Sequence, residues 1–180
     1  MPLLNSVTTP YAEALLQVVS ENDQTEEMVS EVKELLALIN DAPELGKAFS
    51  SPVLETEAKK KIIIELFSDK INPSLFNFLK LLADRQRIGI LTSILNRFLE
   101  IYRENSNIAL ATVTSAVELT DEQKGLITKK IINIAGTEKL ELVTKIDPSL
   151  IGGFVASVGS KVIDASLASQ IRKLGLSLSK

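Results

Sequence analysis

The segment from Leu140 to Leu174 constrains the fold more than any other part of the chain, because turn residues divide it at short intervals. Leu140 to Ile146 has the two-residue alternation of a half-buried strand, and Phe154 to Val158 repeats that alternation. Lys161 to Asp164 can pair back on the second strand across a two-residue loop. A closing helix is predicted to carry an apolar seam of Leu167, Ile171, Leu174 and Leu178.

The residues between these elements are ones that turns favour for stereochemical reasons. Proline presets φ, aspartate bonds nearby backbone groups, and glycine adopts angles or close approaches that a side chain would forbid. We assign structural turns, or local bonds beside turns, to Asp147, Pro148, Gly152, Gly153, Gly159 and Asp164.

The part of the chain before Asn105 is predicted to be helical throughout, since its apolar residues recur at helical spacing. The first helix is expected to open at Thr9 with Pro10 in its first turn, and the second with a capping box of Asp23 and Glu26. Short polar connections separate four further helices, which predicts an antiparallel six-helix bundle.

A polar stretch at 104–107 is the best domain boundary. Beyond it, Ile108 to Val117 reads as a strand, and Thr120 with Gln123 forms a capping box for a helix ending near Gly136. The fold class is therefore α+β: a helical bundle over residues 1–105, then a small α/β domain over 106–180 with a short sheet and two helices.

The first and fifth helices are apolar around most of their circumference, with one thin polar stripe each. A surface helix needs only a limited apolar stripe to face its own core. Two interpretations remain open on this pattern: both helices lie centrally in the bundle, or they lie side by side and leave a groove for an external amphipathic helix.

Composition argues against catalysis and nucleic-acid binding. The chain has no cysteine and no histidine, so the usual metal ligands and the usual acid–base group near neutral pH are missing. Its net charge is −3, which disfavours a binder of phosphate backbones. No signal peptide and no stretch of ~18 uncharged apolar residues are visible. We expect a non-enzymatic protein without cofactor or metal and without nucleic acid as a partner.

Two motifs that suggest other chemistry have simpler interpretations. The glycines before Lys161 lack the contiguous Gly-Lys-Ser/Thr of a phosphate-binding loop, so we interpret them as a hairpin. Asp147 and Asp164 form an imaginable carboxylate pair, but each lies beside a turn that it can stabilise.

The run from Ile146 to Ser166, IDPSLIGGFVASVGSKVIDAS, resembles the signature of the ATP synthase delta subunits, the family of the mitochondrial oligomycin-sensitivity-conferring protein. Two further segments are similar to that family: TPYAEAL at Thr9 to Leu15, and FNFLKLLADRQRIGIL at Phe76 to Leu91. The resemblance covers nearly the whole chain.

The resemblance implies a stator subunit in the peripheral stalk, on the cytoplasmic or stromal face of a membrane, that couples proton-driven rotation to ATP synthesis. It implies that the groove between helices one and five receives the amino-terminal helix of an alpha subunit. By position in the motifs, with Val18 added by helical spacing, the groove residues are Tyr11, Ala14, Val18, Phe78, Leu81 and Leu82.

The second domain is implied to bind the b-type stalk subunits. The candidates for that contact are Val155, Leu167, Ile171 and Leu174, for which a role in the core is an equal alternative. The competing function of another class is a helical RNA-binding or antitermination module, which would need a basic face. A carboxylate-dependent enzyme is the third option, and no spacing here favours it.

Overall fold

The computed structural model describes residues 2–137 and 139–178, with side chains described for 5–133, 136, 137 and 139–172. Over these residues the chain has eight α-helices and four β-strands, an α+β composition as predicted. A 3-10 turn at Ile88–Ile90 precedes the sixth helix. The helices are α1 Pro2–Glu21, α2 Thr25–Asp41, α3 Pro43–Ser50, α4 Thr56–Phe67, α5 Pro73–Asp84, α6 Leu91–Asn105, α7 Asp121–Ala135 and α8 Leu167–Leu178, and the strands are β1 Ile108–Ser115, β2 Lys139–Ile146, β3 Phe154–Val158 and β4 Lys161–Asp164.

The chain divides into two compact units, Met1–Tyr102 and Arg103–Lys180. The first unit contains α1 to α5 and most of α6, around an aliphatic core with few aromatic rings. Its largest fully buried side chains include Phe98, Met28, Ile63, Leu75, Leu79, Leu82, Ile94 and Leu95.

Helix α1 begins earlier than the sequence predicts, because Pro10 lies inside the helix and not in its first turn. Proline removes one helical hydrogen bond, but its fixed φ is itself helical. A helix can therefore continue past a proline where contacts with neighbouring residues stabilise it. Such contacts exist here: Thr8 is buried, and the Arg97 guanidinium of α6 donates from Nε to the Thr9 hydroxyl at 3.2 Å.

The predicted capping box of α2 is wrong. Asp23 has a φ of 59°, in the left-handed region, and lies in the link between α1 and α2. Its N–H bonds to the Ser20 carbonyl, and the Gln24 N–H bonds to the Val19 carbonyl, a pair of bonds that closes the end of α1. The cap residue of α2 is therefore Gln24, whose side chain makes no capping bond.

The second unit is a four-stranded sheet in the order β2-β1-β3-β4. β1 and β2 are parallel and are linked by α7, while β3 is antiparallel to both β1 and β4. The predicted capping box is confirmed at the start of α7, where Thr120 and Gln123 exchange bonds. Its Ile127 and Ile131 cover one sheet face, against the buried residues Ala111, Val113, Ala156 and Val158.

The connection into α8 depends on a close backbone approach at Gly153. Gly153 has a φ of 79°, and a Cβ there would collide with the Ala165 carbonyl oxygen and lie 2.9 Å from the Ser166 Cα. At neighbouring Gly152, a Cβ would lie 2.6 Å from Cδ1 of Leu167, while the Leu167 N–H donates to the Gly152 carbonyl at 3.0 Å. The two glycines thus let the start of α8 lie directly on this loop.

Two aspartates bond the backbone beside these turns. The Asp147 carboxylate, just before Pro148, accepts from the Ser149 N–H at 2.9 Å, and the Asp164 carboxylate accepts from the Ser166 N–H at 2.9 Å. Two hydrogen bonds from Ser149 hold the pKa of Asp147 below its usual value. The bond from the Ser149 side chain has the larger effect, and the bond from its backbone has the smaller one. Gly159, with a φ of 56°, opens the two-residue loop between β3 and β4.

None of the helices within the described ranges combines the length and the apolarity needed to cross a membrane.

We expect Gly153→Ala to destabilise the second unit by about 2 kcal/mol or more, because left-handed backbone strain adds to a clash with backbone atoms. Hydrogen exchange at the Val113 and Ala156 amides would measure the loss. Gly125→Ala is the matched control: no atom lies within 4 Å of its Cβ position, and alanine favours the helix by about 0.5–1 kcal/mol. Equal protection in the two variants would contradict the assigned role of Gly153.

Candidate partner-binding groove

An open apolar groove of about 510 Å³ lies between α1 and α5. Its walls combine aliphatic and aromatic side chains with two small polar ones from α5. The lining residues are Pro10, Tyr11, Ala14, Leu15, Val18, Ser74, Asn77, Phe78 and Leu81.

Five residues predicted for this groove are among those that line it. Tyr11, Ala14 and Val18 come from α1, and Phe78 and Leu81 come from α5. Val18 and Leu81 are the most water-exposed of the large apolar ones, at 46% and 45%. The two helices therefore leave apolar surface in water at Val18 and Leu81, while Leu15 and Phe78 in the same lining are buried.

Leu82 does not belong with them. Its side chain has no exposed surface and is not part of the groove lining, so it is a core residue. Successive residues of a helix project about 100° apart, and one residue of offset moves a side chain from the groove wall to the core. Four lining residues were not predicted: Pro10, Leu15, Ser74 and Asn77. Ser74 lies one helical turn before Phe78, and Asn77 lies one helical turn before Leu81, so helical spacing could have identified both.

Tyr11 lies where three parts of the first unit meet. Its ring packs edge-on against Phe78, with centroids 6.5 Å apart and planes at 65°. The Arg87 guanidinium lies over the same ring, 5.4 Å from its centroid. The ring is thus fixed by an aromatic contact from α5 and a cation–π contact from the turn after α5.

The turn that carries Arg87 closes the carboxyl end of α5 in a Schellman arrangement. The Arg87 N–H donates to the Leu82 carbonyl at 2.8 Å, and the Gln86 N–H donates to the Ala83 carbonyl at 2.9 Å. Gln86 occupies the left-handed position, with a φ of 55°. Because these bonds satisfy the last carbonyls of α5, they also fix where the Arg87 side chain leaves the backbone.

At the other end of the groove, Asn72 ties α5 to the start of α2. Its side chain caps α5 by accepting from the Ser74 N–H at 2.9 Å, and its amide group donates to Gln24 at 3.3 Å. The Asn72 N–H donates to both carboxylate oxygens of Glu31, at 2.9 and 3.2 Å. Gln24 lies three residues past the end of α1, and Tyr11, near the middle of α1, contacts Phe78 and, beyond the carboxyl end of α5, Arg87, so the two helices run antiparallel.

An ion pair between α4 and α5 holds the outer side of α5. The Lys60 ammonium pairs with the Asp84 carboxylate and, at 3.3 Å, with Glu57. The hydrogen bond to Asp84 is the main reason that the pKa of Lys60 lies above its usual value. Asp84 is therefore already engaged on the side of α5 that faces α4.

The residues predicted for stalk binding lie in separate parts of the second unit. Val155 is half-buried in β3, on the sheet face opposite Ala156, and pairs with Thr114 and Asp164 in register. Leu167 and Ile171 are one helical turn apart on α8 and are 44% and 64% exposed. The side chain of Leu174 lies outside the described residues.

No cluster of carboxylates able to hold a metal ion is found in the described part of the chain. The groove itself offers apolar contact and two neutral polar side chains, a surface suited to binding a partner by burial of apolar area.

The fold of this chain is also found in a solved ATP synthase structure. A chain of the Toxoplasma gondii mitochondrial ATP synthase hexamer, solved by cryo-electron microscopy, superposes with a TM-score of 0.72 over 96% of this chain and 97% of that one. At 19% identity this similarity shows the fold alone.

Similarity in sequence identifies the family as well as the fold. The model of the ATP synthase delta (OSCP) subunit family matches residues 7–178. ATP synthase subunit delta of Prochlorococcus marinus strain MIT 9515 is 91% identical over the full length of both chains, and that of strain MIT 9303 is 58% identical over all of this chain and 99% of its own. The chain belongs to the ATP synthase delta (OSCP) subunit family, as the sequence motifs predict, and is a structural subunit and not a catalytic one. This membership decides against the RNA-binding alternative.

The assignment of Leu81 to the groove and Leu82 to the core makes a direct prediction about stability. Leu82→Ala should lower the free energy of unfolding by about 2–5 kcal/mol, because it empties a fully buried site. Leu81→Ala should cost no more than about 1 kcal/mol, since much of its side chain is already in water. Urea unfolding followed by far-ultraviolet circular dichroism measures both, and similar losses would show that the two assignments are wrong.

Proposed function

We propose that this protein is a stator subunit that links the alpha subunits of the catalytic head to the b-type subunits of the peripheral stalk. In this proposal the six helices of the first unit form an antiparallel bundle, and the groove between α1 and α5 receives the amino-terminal helix of an alpha subunit. The observation that carries the proposal is the apolar lining of that groove, in which Val18 and Leu81 are nearly half exposed, in a chain whose family is established.

The groove has the properties that helix-in-groove recognition needs. An amphipathic helix presents apolar residues at every third or fourth position, and the groove offers a matching strip of side chains on two neighbouring helices. Tyr11 is the aromatic anchor, held by Phe78 and Arg87 before any partner arrives. A pre-formed anchor loses little conformational freedom on binding, which favours affinity.

The mechanical role explains why an apolar groove suits this contact. Rotation inside the head exerts torque on it, and the head turns with the rotor unless it is tied to the stator. Exposed ion pairs contribute about 1 kcal/mol or less each, whereas a few well-packed apolar and aromatic side chains dominate tight interfaces. A largely apolar clamp therefore resists separation better than a set of surface charges.

The second unit supplies the stalk contact in this proposal, through the exposed side of α8. Leu167 is partly engaged with the Gly152 loop, so Ile171 is the stronger candidate of the two described residues. The protein would then associate with the cytoplasmic or stromal face of the membrane through the assembled complex.

Substituting the groove should weaken head binding without unfolding the protein. We expect Tyr11→Ala combined with Leu81→Ala to lower the affinity for a synthetic peptide of the alpha amino terminus by at least about tenfold, because an anchor and a half-exposed contact are both lost. Isothermal titration calorimetry measures the affinity, and circular dichroism checks that helicity is kept.

The matched control for this experiment is Ile64→Ala. Ile64 lies on α4, is 46% exposed where Leu81 is 45% exposed, and does not line the groove. It should leave the affinity unchanged. An unchanged affinity in the Tyr11/Leu81 double variant would refute the groove assignment.

For the stalk side, we expect Ile171→Ala to weaken binding of a carboxyl-terminal segment of the b-type subunit by about fivefold, from lost apolar contact. Leu126→Ala is the control, since Leu126 is also 64% exposed but lies on α7. Pull-down or calorimetry with the full chain measures both, and equal effects would remove α8 as the contact.

A further inference from the structure

The last turn of α6 belongs to the second unit. α6 continues to Asn105, but the second unit begins at Arg103, so the division between the two units falls inside this helix. The carboxyl end of a helix is its least stable part, because its last carbonyls have no partners within the helix and its ends fray. The contacts of this turn therefore determine whether the chain stays helical as it enters the second unit.

Arg103 attaches this turn to the sheet through an ion pair. Its guanidinium donates from Nε to the Glu141 carboxylate of β2 at 2.6 Å. The two side chains are only 16% and 25% exposed, so water and salt screen this pair less than an exposed pair such as Lys47 with Glu44. Because Arg103 and Glu141 are 38 positions apart in the sequence, the pair forms only when the second unit is folded.

The pair lies on the face of the sheet that α7 does not cover. Leu142 of β2 packs against the core beneath α7, and Glu141 points to the opposite face because successive side chains of a strand alternate. Its partner in register on β1, Leu110, lies on that same face. The last turn of α6 and the helix α7 are therefore attached to opposite faces of one sheet.

The turn that follows α6 gives the helix end little further support. Only Ser106 and Asn107 separate α6 from β1. Asn107 has a φ of 53°, in the left-handed region that asparagine adopts more readily than most residues, and its N–H donates to the Glu104 carbonyl at 3.3 Å. That distance is long for a hydrogen bond between backbone groups, so this bond holds the helix end weakly.

We propose that the Arg103–Glu141 pair is a lock on the last turn of α6. While the pair is intact, the turn stays helical on the sheet. When the pair opens, the turn frays, and residues 103–107 become a flexible link. Loss of one partner opens the lock fully, because the remaining charge is partly buried and has lost its counter-charge.

The lock itself does not depend on what either unit binds, and only its mechanical meaning rests on the function proposed above. If one unit holds the head and the other holds the stalk, force between them passes along the chain through the end of α6. A helical end resists bending better than a flexible link, so this ion pair would set the stiffness of the connection.

Nitrogen-15 relaxation of the full chain tests the lock without any partner. In the unsubstituted chain, we expect order parameters of about 0.85 at the amides of Glu104 and Asn105, the value of a rigid backbone. Glu141→Gln should lower both to below about 0.6, while the Val113 amide in the core of the second unit stays rigid.

Three results would overturn the inference. Low order parameters at Asn105 in the unsubstituted chain would show that there is no lock to open. High values at Asn105 in Glu141→Gln would show that the pair adds stability without ordering the turn. A fall at Val113 as well would show that the pair holds the whole sheet together and not the helix end alone.

The matched control is Glu100→Gln. Glu100 lies on the same helix and pairs with Arg97 at 2.9 Å, but the pair is made within one helical turn and Glu100 is 54% exposed. The order parameter of Asn105 should stay at about 0.85 in this variant. A fall as large as that in Glu141→Gln would show that any loss of charge on this helix loosens its end, against the proposed role of the pair.

Exchanging the two charges tests whether they act as a pair. Arg103→Glu alone should free the turn as Glu141→Gln does, because it places two carboxylates together. Combining Arg103→Glu with Glu141→Arg should return the order parameter of Asn105 to within about 0.1 of its original value. A turn that stays mobile in the exchanged chain would overturn the inference. Since no alpha or b-type peptide is used, that failure is distinct from failure of the proposed function.

Discussion

Burial of one side of α5 is the interaction on which the rest of the first unit depends. Leu75, Leu79 and Leu82 have no exposed surface, so they hold this helix in the core. Leu81, on the adjoining side, is 45% exposed and is available to form a groove with α1, whereas Phe78 is buried and belongs both to the core and to the groove wall. A helix that is apolar on two sides can serve a core and a partner at once, provided that each side keeps its own residues.

The elements of both units could largely be predicted from the sequence, since caps, prolines and apolar spacing are local signals. Thr120 with Gln123 initiates a helix as expected. The start of α1 could not be predicted in this way, because the contacts that carry a helix through Pro10 come from α6, far along the chain. Asp23 fits the sequence pattern of a cap for α2, but in the structure it adopts the left-handed conformation that ends α1.

The candidate groove was predictable in outline but not residue by residue. Apolar residues around most of a helix indicate that it contacts more than one neighbour. Leu81 and Leu82 are adjacent and equally apolar, however, and only the packing of the folded chain shows that Leu82 is in the core and Leu81 is in the groove. The contribution of Arg87 depends on the left-handed Gln86 and on contact with Tyr11, neither of which follows from helical spacing. The helices that form a site are therefore easier to predict from the sequence than the turns that hold its side chains in place.

The exposed lining of this groove and the contacts behind it have different parts. Val18 and Leu81 leave apolar surface in water, at 46% and 45%, and covering such surface is the main source of affinity in an apolar contact. Tyr11 is held by Phe78 from α5 and by Arg87 from the turn after α5. A side chain that is already fixed loses little conformational freedom when it is covered, so the turn after α5 would favour binding without lining the groove itself.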